Sequence, residues 1–245
     1  MSTMTKKMTL ERILHSQGFG SRKECRTMVR NEWVSVHGEL ITDPFVEFEV
    51  SGFQFEVEDE VWHYREQAYL MINKPPHYEC SQKPIHHASI YSLLPEPIRE
   101  RGVQCIGRLD EDTTGLILLS DDGQFIHRMS SPKWKVPKVY QVTCKHPVDP
   151  DQVQTLLTGV MLNDELEPLQ ALSVEQIDDL TIQMTLAQGK YHQVKRMVAA
   201  VSNRVEALHR VKIGPLTLPT DLAQGAWRWL TEAEVELLMQ SPKNS

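Results

Sequence analysis

The sequence predicts an α+β protein in two parts, a small α/β unit over residues 1–62 and a larger, mainly antiparallel-sheet domain over residues 63–245. Three observations lead there. Beyond residue 63, short apolar or alternating runs recur without regular interleaving by helices, which is the pattern of an antiparallel sheet and not of βαβ units. The first forty or so residues read instead as two short helices followed by a hairpin. Between the two parts, "FQFEVEDEVWHYREQ" is polar and acidic, so the boundary is expected within residues 60 to 66.

In chain order, Thr9 is expected to cap a first amphipathic helix that breaks at Gly18 to Gly20. Ser21 then caps a second helix, with Glu24 three residues on in capping-box spacing. Arg22, Lys23, Arg26 and Arg30 fall near one face of that helix. "WVSVHGELI" alternates like a hairpin with its turn at His37-Gly38. Past the boundary, strands are expected at Leu70 to Asn73, Gln104 to Gly107, Leu116 to Leu119, Val139 to Cys144, Leu169 to Val174, Leu180 to Leu186 and Val205 to Val211. Helices should open near Asp122, at Asp149-Pro150, where Asp caps and Pro suits the first turn, and at Tyr191.

Composition narrows the class. Of 245 residues, 40% are apolar, enough for a real core. Runs such as "LILL" and "MVAAV" are too short to span a bilayer, and "MSTMTKKMTLER" lacks the apolar core of a secretory signal, so a cytoplasmic protein is expected. The cysteines Cys25, Cys80, Cys105 and Cys144 form no C-x-x-C pair, so reduced thiols are expected and neither a zinc site nor a disulfide framework. The net charge of -7 hides segregation: residues 1 to 38 hold seven Lys/Arg against three acids, and residues 39 to 60 hold eight acids and no base. Gln124 to Val148 has five bases and no acid, Asp149 to Leu180 eight acids and no base, and Gln188 to Gly214 six bases and one acid. Three basic blocks that converge would form a surface for a phosphate backbone despite the acidic total; three that stay apart are ordinary solvated faces.

The chemistry concentrates in "GRLDEDTTGLILLSDDG", Gly107 to Gly123. Gly107 and Gly115 permit sharp backbone changes, "LILL" is a buried strand, and "SDDG" caps the next helix, which accounts for Asp121 and Asp122 structurally. Glu111 and Asp112 are expected to be solvated. Asp110 is left in a loop just before the strand, with Arg108 two residues earlier.

This stretch resembles the G-R-L-D-x-x-T-x-G-L-L-L-L-T-x-D-G signature of pseudouridine synthases of the RsuA/RluA group. Four further segments follow in register with that family: "INKPPHYECS" resembles its N-K-P-x-G element, "SSPKWKVPKVYQV" its K-x-Y segment, "GKYHQVKRM" its basic helix, and "IGPLTLPTDLAQGAWRWLTEAEVELL" its ending. Together they span about residues 8 to 239. Pro76-His77 departs from the usual x-Gly. "SRKECRTMVRNEWVSVHGE" resembles the S4 RNA-binding module over roughly residues 8 to 55, with Glu32 and His37 where Gly and Asn are usual. An S4-like unit in front is typical of the RsuA branch, and "GKYHQVKRM" and "SPKWKVPKVYQV" look most like its small-subunit rRNA members.

The resemblance implies isomerisation of uridine to pseudouridine in structured RNA, 16S small-subunit rRNA foremost, with large-subunit rRNA or tRNA as the alternative target. The reaction moves uracil from N1 to C5 on C1′ with no redox change, so no cofactor and no metal are implied. By the motif match Asp110 is the reacting carboxylate, as nucleophile or as base. A buried carboxylate tends to gain a proton, so it needs a cation, and Lys195 matches the family's paired base, with Arg196 as fallback or phosphate contact. On the expected helix Tyr191, Val194, Val198 and Val201 face the core, and His192, Lys195 and Arg196 share another face. His192 is read as a structural histidine. Tyr140 matches the tyrosine expected to stack on the displaced uracil. Arg108 is expected beside the displaced nucleotide, or else paired with Glu111 or Asp112. Arg22, Lys23, Arg26, Lys74, Lys133, Lys135 and Lys138 are expected backbone contacts. The expected partner is structured RNA, free or in a ribosomal assembly intermediate, met by a monomer and away from membranes. A two-carboxylate glycosidase would leave the basic blocks unexplained. A non-catalytic S4-type RNA-binding protein would not need Asp110, Tyr140 and Lys195 together. A metal site would need the two acid clusters flanking "LILL" to converge.

Overall fold

The computed structural model describes residues 6–240. Contacts divide the chain into two units, Met1–Ala68 with Leu94–Val103, and Tyr69–Leu93 with Gln104–Ser245. The division falls at Ala68 rather than at residues 60 to 66, and it assigns to the first unit a short segment that the sequence placed in the second.

In the first unit β1 (Lys7–Thr9) leads into α1 (Leu10–Ser16), α2 (Arg22–Arg30), β2 (Val34–Val36), β3 (Glu39–Leu40), β4 (Glu47–Glu49), β5 (Gln54–Val57) and β6 (Glu60–His63), with α3 (Glu96–Glu100) contributed from further along. The Ser21 and Glu24 capping box opens α2 as its spacing requires. Thr9 stands at the α1 N-cap position but makes no side-chain cap, and its hydroxyl is buried without a partner. The hairpin β2–β3 turns at His37 and Gly38, both at positive φ. The acidic stretch expected to be a spacer is instead the hairpin β5–β6, turning at Glu58 and Asp59, again both at positive φ. Phe55 and Val57 point into a core shared with Leu10, Ile13, Leu14, Val29 and Val34, while the alternate Gln54 and Glu56 face outward. α3 belongs here because Gly18, at φ 89, lets Pro97 approach so closely that a Cβ would lie 1.9 Å from its carbonyl oxygen. Arg101 Nη1 also donates to Gln17 Oε1 at 2.7 Å.

In the second unit β7 (Tyr69–Lys74), β8 (Tyr78–Glu79), β9 (Ala88–Ser89), β10 (Gln104–Ile106) and β11 (Thr114–Ser120) precede α4 (Gly123–Ser130), β12 (Lys138–Cys144) and α5 (Pro150–Thr158). β13 (Ser173–Gln176), β14 (Thr181–Leu186), α6 (Gln193–Ala200), β15 (Val205–Ile213), β16 (Leu216–Thr217), β17 (Trp227–Trp229) and α7 (Glu232–Gln240) complete it. The main sheet runs β13-β14-β12-β15-β11-β7-β17, with β10 on β11 and β16 on β15. Among the described residues, only the pair β11–β15 in this sheet is parallel. The sheet is thus mainly antiparallel, as the sequence predicts.

β11 is covered on both faces, which is why its sequence is an unbroken apolar run. Leu116 and Leu118 join Met71, Phe125, Met129 and Leu238 in a core closed by α4 and α7. Each such fully buried aliphatic side chain stabilises the fold by about 1.5–3 kcal/mol. Asp122 and Asp149 cap α4 and α5 as expected. β13 begins four residues later than the sequence suggests, because Leu169 is spent on a bridge to Val160. α6 opens at Gln193, two residues later than expected, since His192 is in the left-handed region at φ 46. That displacement puts Tyr191 outside the helix and 76% exposed, not in the core.

Candidate active site

Asp110 lies in the loop joining β10 to β11, and buried cations fasten that loop by its backbone. Lys74 is fully buried at the end of β7 and donates to Glu111 O at 2.9 Å, Thr113 O at 2.8 Å and Pro75 O at 3.1 Å. Three acceptors use all three protons of an ammonium. Arg210, 1% exposed on β15, donates from Nη2 to Gly107 O and from Nε to Leu116 O, both at 2.7 Å, and so ties the two ends of the loop region together. Gly115, at φ 102, makes this possible: a Cβ there would be 2.3 Å from Arg210 O. Cys80 and His77 add two more holds, as Leu109 N donates to Cys80 Sγ at 3.5 Å and His77 N to Glu111 O at 2.8 Å. His77 is at φ 62, the conformation for which a glycine would be the ordinary choice.

The Asp110 side chain, 31% exposed, is met from α6 and the residue before it. Lys195 Nζ is 3.1 Å from Oδ2, and His192 Nε2 is 3.2 Å from Oδ1. Lys195 also donates to both oxygens of Asp112, at 2.7 and 2.9 Å. Burial works against the Lys195 ammonium, but the hydrogen bonds and charges of Asp112 and Asp110 outweigh it and raise its pKa above the ordinary lysine value. Burial likewise opposes the Asp112 carboxylate, and Lys195 overrides it, so Asp112 is held below the usual carboxylate range. Asp112 is exposed, as expected, and is also the ion-pair partner of Lys195. Glu111 Oε2 lies 3.7 Å from both His77 Nδ1 and His87 Nε2.

Tyr140, 7% exposed on β12, is the cross-strand partner of Arg210, whose guanidinium carbon is 6.0 Å from the ring centroid. Arg210 thus touches the Asp110 loop on one side and faces Tyr140 on the other. No feature of the sequence reading singled out this arginine, although its position in the strand run Val205 to Val211 makes an inward-facing charge there a signal in itself.

Several residues expected at the RNA have partners within the fold. Lys74 has no free proton to offer a phosphate, because β7 is a central strand whose residues from Leu70 onward are all buried. Lys138 shares the inward face of β12 with Tyr140, and burial together with Arg210 pushes its pKa down to about 8. Arg26 is paired with the buried Glu11 and lies over Phe45 at 5.3 Å. Arg196 pairs with Asp164 and donates to Tyr191 O at 3.0 Å. In contrast, Arg22, Lys23, Lys133 and Lys135 are exposed. Arg108 is exposed and makes no ion pair with Glu111 or Asp112 among the described residues.

Residues 68–200 match the family described as RNA pseudouridylate synthase. The chain belongs to that family. Across its length this pseudouridylate synthase is 36% identical to "Ribosomal small subunit pseudouridine synthase A" of Haemophilus influenzae, with 95% of this chain and 100% of the relative covered. It is 37% identical to the Escherichia coli K12 protein of the same description, over 93% and 98% of the two chains. A solved structure described as "Crystal structure of pseudouridylate synthase" superposes with a TM-score of 0.68 at 36% identity, covering 94% of this chain and 99% of that one. For a pseudouridylate synthase, the arrangement around Asp110 offers a carboxylate beside a lysine and a histidine, an aromatic ring on β12, and an exposed arginine two residues away.

Proposed function

We propose that this protein converts uridine to pseudouridine at a defined position of 16S small-subunit rRNA, with Asp110 as the reacting carboxylate. The observation that carries the reading is the Asp110 carboxylate held between Lys195 and His192 on a loop clamped by Lys74 and Arg210. The target follows from the full-length similarity to relatives described as small-subunit enzymes.

In the reaction the C1′–N1 bond breaks, the uracil turns, a C1′–C5 bond forms, the C5 proton leaves and N1 gains a proton. Atoms and electrons balance without a cofactor. Asp110, with Lys195 Nζ 3.1 Å from its Oδ2, acts at the sugar. Tyr140 presents its ring to the detached base, which an aromatic face holds without occupying the base's polar edges. Arg108 contacts the phosphate of the displaced nucleotide or fills the space it leaves. Residues 1–62 act as an S4-like RNA-binding unit through the exposed Arg22, Lys23 and Arg30 of α2, and Lys133 and Lys135 extend the backbone contacts. The protein works as a cytoplasmic monomer, on rRNA free or in an assembly intermediate.

Tritium release from C5-labelled 16S and 23S transcripts tests the reading. The expected result is release from 16S RNA at a single site and none from 23S RNA. Release from 23S RNA alone would refute the target, and release from neither, with binding intact, would refute the reaction on naked rRNA.

A further inference from the structure

His192 takes no part in the chemistry above, yet three separate features converge on it. The first is reach: its Nε2 is 3.2 Å from Asp110 Oδ1, on the opposite carboxylate oxygen from the one met by Lys195. The second is backbone: at φ 46 and ψ 31 it occupies the left-handed region directly before α6. L-residues adopt that conformation rarely, with histidine among those enriched in it, and such outliers persist only where the surroundings over-determine them. The third is the ring's support. Tyr191 stacks on the imidazole with centroids 3.8 Å apart and planes 17° from parallel. Tyr191 is largely exposed, so core packing does not explain its placement. Its own carbonyl is fixed by Arg196 Nη1 at 3.0 Å.

Lys195 alone does not define the direction of the Asp110 carboxylate. Its ammonium is a point charge on a flexible stem, and it is divided between Asp110 and Asp112. An imidazole nitrogen 3.2 Å from the other oxygen, carried by a rigid ring, limits the remaining rotation about Cβ–Cγ. We propose that His192 is a positioning residue that fixes the orientation of Asp110 toward the sugar, with Tyr191 as the plate that fixes His192. The inference rests on Asp110 being the reacting group.

The test uses the full-length protein and measures two things for each variant, single-turnover pseudouridine formation on a 16S transcript and equilibrium affinity for that transcript, with thermal unfolding as a check on folding. His192→Ala is expected to slow turnover on the order of 10- to 100-fold, as a misplaced reacting group does, while RNA affinity stays as in the wild type. His192→Gln, whose side-chain amide can place an N–H near the position of Nε2, is expected to recover most of the rate, and Tyr191→Ala to fall between. A wild-type rate in His192→Ala overturns the proposal. So does a loss confined to affinity, which would make His192 an RNA contact, or a glutamine variant as slow as the alanine one. Independently of turnover, the imidazole nitrogen resonances of His192 are expected to move in Asp110→Asn, and unmoved resonances overturn the contact itself. A wild type that forms no pseudouridine would refute the assigned reaction, and the resonances would still decide whether His192 holds Asp110.

Discussion

Lys138 shows at the scale of one residue what burial does to a charge. Its pKa is pushed down from 10.5 to about 8 by burial and by Arg210, so the folded state prefers the neutral amine. Between those two values the unfolded chain binds the extra proton, and stability therefore rises with pH through that window; below about pH 8 the penalty is fully present. Lys138→Met is expected to stabilise the protein by about 3 kcal/mol at pH 7, with the gain gone by about pH 10.5. Urea unfolding at several pH values measures this, and a gain independent of pH would contradict it. The pairing of Asp110 with Lys195 could be anticipated from the family motifs. The burial of Lys138 had a local signal that went unused, since Lys138, Tyr140 and Val142 share one face by the period of two. Lys74 had none, because a strand buried on both faces has no alternation to read. The ion pairs of Arg26 and Arg196 are not legible in the sequence because their acidic partners, Glu11 and Asp164, are far away along the chain. The approach of His192 to Asp110 is not legible in the sequence because a helix counted from Tyr191 assumes a right-handed backbone where the chain turns left-handed.

At the scale of elements, the parallel contact of β11 with β15 is what brings Arg210 under the Asp110 loop. It depends on Gly115, where a Cβ would collide with the Arg210 backbone at 2.3, 2.8 and 3.0 Å. Backbone cannot yield as a side-chain end can, and φ 102 is itself adverse for alanine. Gly115→Ala is therefore expected to destabilise the protein by about 3 kcal/mol or more in chemical denaturation. A loss under about 1 kcal/mol would mean that the two strands are not in this register. The long strands and the capped helices were legible because their signals are local: an apolar run, an Asp before a Pro, a Ser three residues before a Glu. The hairpin β5–β6 was hidden by its acids, although Phe53, Phe55 and Val57 alternate with Gln54 and Glu56 as a half-buried strand does. α3 escaped notice because only the close approach of Pro97 to Gly18 assigns it to the first unit.

For the whole molecule, the acidic total of -7 hides a segregation of charge along the chain. On the proposed role of the N-terminal unit, the exposed Arg22, Lys23 and Arg30 of α2 each neutralise a phosphate. Replacing all three by glutamine is expected to weaken RNA binding and to flatten the plot of log affinity against log salt by about 2 to 3 units. An unchanged slope would remove α2 from the RNA interface. The two-part division was visible in composition, whereas the position of the boundary depends on tertiary contacts at Ala68 and around Leu94–Val103 that composition does not encode.

The central claim is that Asp110 reacts, and it is tested most directly by C5 tritium release from 16S RNA under single-turnover conditions with Asp110→Asn, beside a binding measurement on the same RNA. The substitution removes the carboxylate's charge at nearly constant shape and touches no proposed phosphate contact, so the account predicts no detectable release with affinity as in the wild type. Substantial release by the variant would contradict it and return the chemistry to another group.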